Sequence, residues 1–392
     1  MKLKIGSPVS GDNFYPRKGV IRNLRRALDR DHVSFLAPRR TGKTSVLIHL
    51  EETAPQDHPH LRVNLEKCTQ PGEMIAALLL PFQSRADRWK ASLGKAWNKI
   101  ETVNLGPVGL GRKMGEKEWQ PAAETFLQAL LDHGGRFTFL LDEFPILVDA
   151  AAKQDRDGCE AMLRWFREWR QQTANTEVRF LVTGSVGLDS VVRRHGFADT
   201  VNDFDSISLP PLNDEEAFDF IARLGTGVGL PLDAIHAEQM VGLLGGAWPY
   251  FIQIFVAGIE SALPEGKPDI AAIDETFLRH VYRDHLIAGP RNKYLPHMWD
   301  RLAKVFSTTE LRIARALLRA VARGEDDGLD GAHLVDAAAG AISQSEKLDE
   351  TELQIVLEGL KHDGYLLQET GATQRTRFFT NVLRDYWRRR HA

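Results

Sequence analysis

Four short apolar runs, separated by longer helical patterns, organise the first half of this chain. They are Val33-Ser34-Phe35-Leu36, Leu61-Arg62-Val63-Asn64-Leu65, Phe137-Thr138-Phe139-Leu140-Leu141 and Val178-Arg179-Phe180-Leu181-Val182. Runs this short and this apolar predict strands buried on both faces. Their alternation with helices predicts a parallel sheet in an α/β fold. Ser45 to Leu50 opens a helix directly after the first strand. Cys159 to Gln172 reads as an amphipathic helix, with Met162, Leu163, Phe166 and Trp169 on one face as core residues.

The rhythm changes at Leu209-Pro210-Pro211-Leu212. Beyond it, Asn213-Asp214-Glu215-Glu216 is a helix start, with a capping side chain and acids in the first turn. The region to about Ala288 is helical, and Gly289-Pro290-Arg291-Asn292 marks a second break. After it, helices over Thr309–Val321, Gly331–Ala339 and Glu350–His362 lead to two short segments, Gly364 to Gln368 and Arg377 to Thr380. Paired through a turn at Gly371, those segments form the wing of a winged helix. The expected division is therefore an α/β domain over 1–210, a helical lid over 211–290 and a winged helix over 291–392. The stretch from Arg85 to Gln120 interrupts the first part. It is Lys- and Trp-rich and then alternates apolar residues with glycines over Val103–Gly111, which reads as an exposed hairpin flap.

Chemistry enters at Ala37-Pro38-Arg39-Arg40-Thr41-Gly42-Lys43-Thr44. This is a phosphate-binding loop of the G-x-x-x-x-G-K-[ST] type with alanine at its first position. Such a loop turns backbone N–H groups inward around phosphates. Its lysine reaches their oxygens and its hydroxyl holds Mg²⁺. Ser45 follows at the start of a helix, whose N-terminus favours anions. The Phe137 strand ends in Asp142 and Glu143, at the edge where open α/β sheets bind ligands. Asp142 with Thr44 would hold Mg²⁺, and Glu143 with Lys43 would act in γ-phosphate transfer to water. The Val178 strand ends in Thr183-Gly184-Ser185, where Thr183 or Ser185 would sense the γ-phosphate. Composition reads that end equally as an ordinary Gly-Ser turn.

The order Phe14-Tyr15-Pro16-Arg17, A-P-R-R-T-G-K-T-S, L-L-D-E-F, L-V-T-G-S-V-G, Gly246-Ala247-Trp248-Pro249-Tyr250 and Leu383-Arg384-Asp385-Tyr386-Trp387 resembles the archaeal-type ATPases of the STAND branch of AAA+-related P-loop NTPases. The resemblance spans nearly the whole chain. It implies ATP and Mg²⁺ clamped by an α/β domain, a lid and a winged helix. It also implies Arg17 at the nucleotide edge and Pro249 on the adenine. Two features depart from the pattern. The Phe197–Phe204 stretch lacks the family's sensing arginine, leaving Arg193 and Arg194 as substitutes, and the lid motif has one extra residue before its proline.

Composition bounds what remains. The chain has 392 residues, 43% hydrophobic and 26% charged, enough for two or three cored domains. A net charge of −3 supplies no global field for nucleic acid or membrane. Two cysteines, Cys68 and Cys159, suit a reducing cytoplasm, and no apolar h-region or bilayer-length run is present. The thirteen histidines are scattered and read as structural. The expected function is a slowly hydrolysing ATP switch acting on a protein partner, with nucleotide-dependent oligomerisation allowed. A DNA-binding or DNA-remodelling ATPase is the alternative, and a nucleotide-stabilised scaffold the third reading. DNA is the less favoured partner because Asp349, Glu350, Glu352, Glu358 and Asp363 crowd the third helix of the winged helix against a single Lys361. The arginines at 384 and 388–390 read either as an anion contact or as ordinary helix-end charges.

Overall fold

The computed structural model describes residues 1–83, 118–185, 187–264, 272–289, 294–342, 348–368 and 374–391. The flap expected over Val103–Gly111 and the turn at Gly371 lie outside the described residues. Two compact units account for the chain. The sheet unit comprises Pro16–Ala37 and Lys43–Leu209. The C-terminal unit comprises Met1–Tyr15, Pro38–Gly42 and Pro210–Ala392.

In the sheet unit, helix α1 (Lys18–Leu28) precedes β1 (Val33–Leu36), and α2 (Lys43–Glu52) precedes β2 (His60–Asn64). Next come α3 (Pro71–Gln83), α4 (Trp119–His133), β3 (Phe137–Asp142), α5 (Phe144–Gln154) and α6 (Arg156–Thr173). The unit closes with β4 (Val178–Gly184), α7 (Leu188–His195) and β5 (Asp205–Ser208). The five strands are parallel in the order β2-β3-β4-β1-β5. This is a P-loop NTPase sheet of the AAA+ kind, as expected. Every residue of β3 and β4 is buried, which is why both read as mostly apolar runs. Register pairs Leu36 with Gly184 and Leu141 with Val182, so the carboxyl ends of β1, β3 and β4 come level. The aromatic face of α6 packs on β4, with Phe166 and Trp169 against Phe180 at ring distances of 5.2 and 4.9 Å.

β5 was not legible as a strand. Asp205-Ser206-Ile207-Ser208 lies mostly exposed at the sheet edge, so burial put no apolar signature on it. The sheet order then pairs it with β1 (Val33 opposite Asp205).

In the C-terminal unit, α8 (Asp214–Gly227), α9 (Ala234–Leu244), α10 (Pro249–Ala262) and α11 (Glu275–Val281) come first. Asn213 and Glu216 form a capping box at the start of α8, as the acid-rich start predicts. α10 is apolar nearly all round and forms the centre of this unit's core. Then follow α12 (Tyr294–Val305), α13 (Thr308–Arg323), α14 (Gly331–Ala339), α15 (Glu350–His362), β6 (Leu366–Gln368), β7 (Thr376–Phe378) and α16 (Asn381–Arg390). β6 and β7 pair antiparallel, and Leu329 bridges to Thr376. The order here is helix, bridge, two helices and a hairpin. One apolar core runs from Leu212 to Trp387, with Tyr250 and Phe251 packed on Tyr294 at 5.6 and 5.9 Å. Helices on both sides of residue 290 therefore share a core. Among the described residues no single helix is long and apolar enough to cross a membrane.

Candidate nucleotide-binding site

The sheet unit gathers most of the expected chemistry at one edge. Lys43 is the first residue of α2, is buried, and donates from Nζ to the Ala37 carbonyl at 2.5 Å. Ala37 itself is buried and has no positive φ, so alanine fits where the motif has glycine. Gly42 sits at φ 106°, where a side chain would be strained, and Arg40 at φ 64°. These left-handed turns at Arg40 and Gly42 bend the loop back on itself, the conformation in which successive N–H groups face inward. Thr41 Oγ1 braces the loop on the Pro38 carbonyl at 2.8 Å.

Thr44 Oγ1 donates to Asp142 Oδ2 at 3.1 Å. Asp142 is buried, and its Oδ1 has no hydrogen-bond partner among the described residues. Burial raises the Asp142 carboxyl above the usual range, with the neighbouring Glu143 charge adding to it. An unpartnered carboxylate oxygen beside a threonine hydroxyl is a donor set that fits Mg²⁺. Among the described residues no group of three His, Cys, Asp or Glu side chains could hold a metal ion, so the remaining ligands would be water and nucleotide oxygens.

Glu143 caps α5 with φ 59°, a left-handed conformation that is uncommon outside glycine. Its Oε2 accepts from the Ser185 backbone N–H at 3.0 Å and from Ser185 Oγ at 3.1 Å. Gly184 makes this approach possible. A Cβ there would meet Pro145 Cδ at 2.5 Å. The glycine between Thr183 and Ser185 is thus required by packing, which composition left undecided. Thr183 is fully buried and its Oγ1 has no partner among the described residues.

Two further expected contacts come from other elements. Arg17 is buried at the start of α1 in the sheet unit. Pro249 is the first residue of α10 in the C-terminal unit, and its neighbour Trp248 stacks on Phe379 at 4.1 Å. Arg193 and Arg194 lie in the last turn of α7. The Phe197–Phe204 stretch is tied down by its acids. Asp199 meets Arg164, and Asp203 meets Arg170.

The chain superposes along nearly its whole length on the Walker-type ATPase PABY2304 of Pyrococcus abyssi. The match covers 98% of this chain and 99% of that one, with a TM-score of 0.64 at 17% identity. The fold is that of an archaeal-type P-loop ATPase. Looser likenesses extend to the Aeropyrum pernix ORC2 protein in ADPNP–ADP complexes (14% identity, 96% and 97% covered, TM-score 0.45). Another is the Thermotoga maritima RuvB Holliday junction branch migration motor (16% identity, 94% of each chain, TM-score 0.43). Those two scores are too low to bear on function. No protein-family model and no curated protein matches the sequence.

On this P-loop ATPase fold, two arrangements had no signal in the sequence. Arg40 lies over the Tyr250 ring at 4.5 Å and the Tyr294 ring at 5.4 Å, all within the C-terminal unit. Arg170 is buried between the Phe166 and Phe204 rings and pairs with Asp203. A cation held on aromatic faces needs residues distant in sequence, so spacing does not reveal it.

Proposed function

We propose that the protein binds ATP with Mg²⁺ and hydrolyses it slowly, as a STAND-type molecular switch. The observation that carries this reading is the meeting of Lys43, Thr44, Asp142 and Glu143 at the carboxyl edge of the sheet, with one Asp142 oxygen left unpartnered among the described residues. The loop over Ala37, Pro38, Arg39, Arg40, Thr41, Gly42 and Lys43, continued by Thr44 and Ser45, would cradle the phosphates. Lys43 would leave the Ala37 carbonyl for phosphate oxygens, exchanging a neutral acceptor for a charged one. Thr44 and Asp142 would hold Mg²⁺, which when bound neutralises charge developing on the phosphates. Glu143 would accept a proton from the attacking water. Its present bonds to Ser185 turn that carboxylate away from free rotation, which supports slow turnover. Thr183 would report the γ-phosphate through its unpartnered hydroxyl.

By the same reading, 1–210 is the nucleotide-binding part, 211–290 the lid with Pro249 toward the adenine, and 291–392 the winged helix that meets a protein partner. Arg17 would sit at the nucleotide edge. The setting is the cytoplasm, with nucleotide-dependent self-association allowed. In this reading DNA stays the less favoured partner of the winged helix. Asp349 caps α15, Asp363 pairs with buried Arg301, and Arg384 and Arg388 of α16 are used internally. Arg388 donates to the Ala322 and Gly324 carbonyls at 2.7 and 3.1 Å, and Arg384 pairs with Asp326 at 2.8 Å.

The test is a pair of variants followed by thermal melting and phosphate release. Lys43→Ala should abolish the ATP-dependent stabilisation, about 2.7 kcal/mol at a ligand concentration 100 times Kd, while leaving the unliganded melt unchanged. Glu143→Gln should keep that stabilisation and lose turnover. A Lys43→Ala protein that ATP still stabilises in full would refute the site.

A further inference from the structure

The surface that the net charge of −3 conceals is on α1. Lys18, Arg22, Arg25 and Arg26 fall at helical spacing on one face, and α1 contains no acidic residue. All four are exposed. Among the described residues none forms an ion pair, and Arg25 alone is anchored, donating to Thr53 Oγ1 at 2.8 Å. They line a concavity of about 360 Å³ together with Pro16, Ile21, Asp29 and His49. Asp29 is its one carboxylate among the described residues, at the end of the stripe. His49 enters from α2, and burial together with the Arg25 charge lowers its pKa below the ordinary value.

From this stripe and its concavity, we propose that α1 is a docking surface for the phosphodiester backbone of a nucleic acid. Three of the four cations are arginines, whose planar fork matches phosphate oxygens bidentately. They run over two turns of a rigid helix, so the charges form a row with a fixed rise of about 1.5 Å per residue. A membrane surface fits less well. Interfacial helices carry exposed Trp, Phe or Leu beside their cations, whereas the apolar lining here is Pro16 and the buried Ile21. The contact is sequence-independent, because nothing in the concavity is shaped to read base edges. It also moves the nucleic-acid question away from the winged helix and its arginines.

The experiment is fluorescence anisotropy of a labelled mixed-sequence oligonucleotide, duplex and single-stranded, with the full chain in rising salt. Four phosphate contacts on duplex predict a salt slope of about −3.6, a loss of about 100-fold in affinity between 50 and 200 mM salt. The variant R22A/R26A should bind more weakly at low salt and lose only about 10-fold over that range. R389A/R390A should behave like the parent. An unchanged ATP-dependent thermal shift in R22A/R26A separates this result from loss of the nucleotide site or of folding. Inorganic tripolyphosphate and polyglutamate are the competitors. Displacement by neither at matched charge supports a nucleic-acid surface. Equal displacement by either makes it a general polyanion patch and overturns the proposal. Absence of binding by the parent chain, or a variant that binds as the parent does, also overturns it.

Discussion

Replacing Asp203 with alanine tests how the sheet unit secures the stretch where a sensing arginine was expected. The Arg170 side chain has no exposed surface. It donates to Asp203 Oδ2 at 2.8 Å, to Asp203 Oδ1 at 2.7 Å and to the Thr200 carbonyl at 2.6 Å. Its guanidinium also lies 4.2 Å from the Phe204 ring centre and 4.7 Å from that of Phe166. Burial alone would raise the Asp203 carboxyl, but the bonds and charge from Arg170 outweigh it and hold the group below the usual range. Asp203→Ala leaves a buried cation with one carbonyl and two ring faces. Breaking such a pair costs about 3–5 kcal/mol. The Asp203 side chain is 26% exposed, so water reaches the gap and the lower value, about 3 kcal/mol, applies. For a unit of this size that is a fall of about 6–12 °C in Tm. The assay is urea unfolding read by tryptophan emission, since Trp165 and Trp169 lie on the same helix as Arg170. Arg170→Met combined with Asp203→Leu should return to within about 1 kcal/mol of the parent, because apolar replacement of both partners removes the stranded charge. A loss under about 1 kcal/mol for Asp203→Ala would show that Arg170 is solvated and that the pair does not hold the stretch.

Three further outcomes follow from the geometry. Ser185→Ala removes one of two bonds holding Glu143 and should raise ATP turnover by about 3- to 10-fold, the net value of one ordinary hydrogen bond. A fall in turnover would mean that Ser185 aims Glu143 instead of restraining it. Asp142→Asn should leave the fold intact but cancel the Mg²⁺ dependence of nucleotide-induced stabilisation, read by melting with and without chelator. His32 and His60 are buried, and burial lowers each pKa to about 4. Their folded values lie below the unfolded value of about 6.5, so the stability they secure is complete above about pH 6.5 and is lost as pH falls toward 4. Urea midpoints measured across that window should decline, and His32→Gln should flatten part of the decline.

What the sequence determined by itself is the material whose signal is local. β3 and β4 are buried on both faces, so most of their positions are apolar, and their strands and the acids at the end of β3 were legible. The phosphate loop was legible because its glycine, lysine and hydroxyl are adjacent in the chain, and the capping residues of α8 because a cap acts within one turn. The tertiary structure decided whatever depends on residues that meet only on folding. The edge strand β5 has no burial to write a pattern, and its identity comes from β1 beside it. The choice of Ser185 as the partner of Glu143 rests on Gly184 letting two chain segments approach past Pro145. The arginines of α16 and those of α1 look alike in sequence. Folding gives Arg384 and Arg388 of the first group carbonyls and Asp326 to bind, and leaves the second facing a concavity with one carboxylate among the described residues. A charge's meaning is set by what lies within a few ångströms of it, and chain order does not carry that distance.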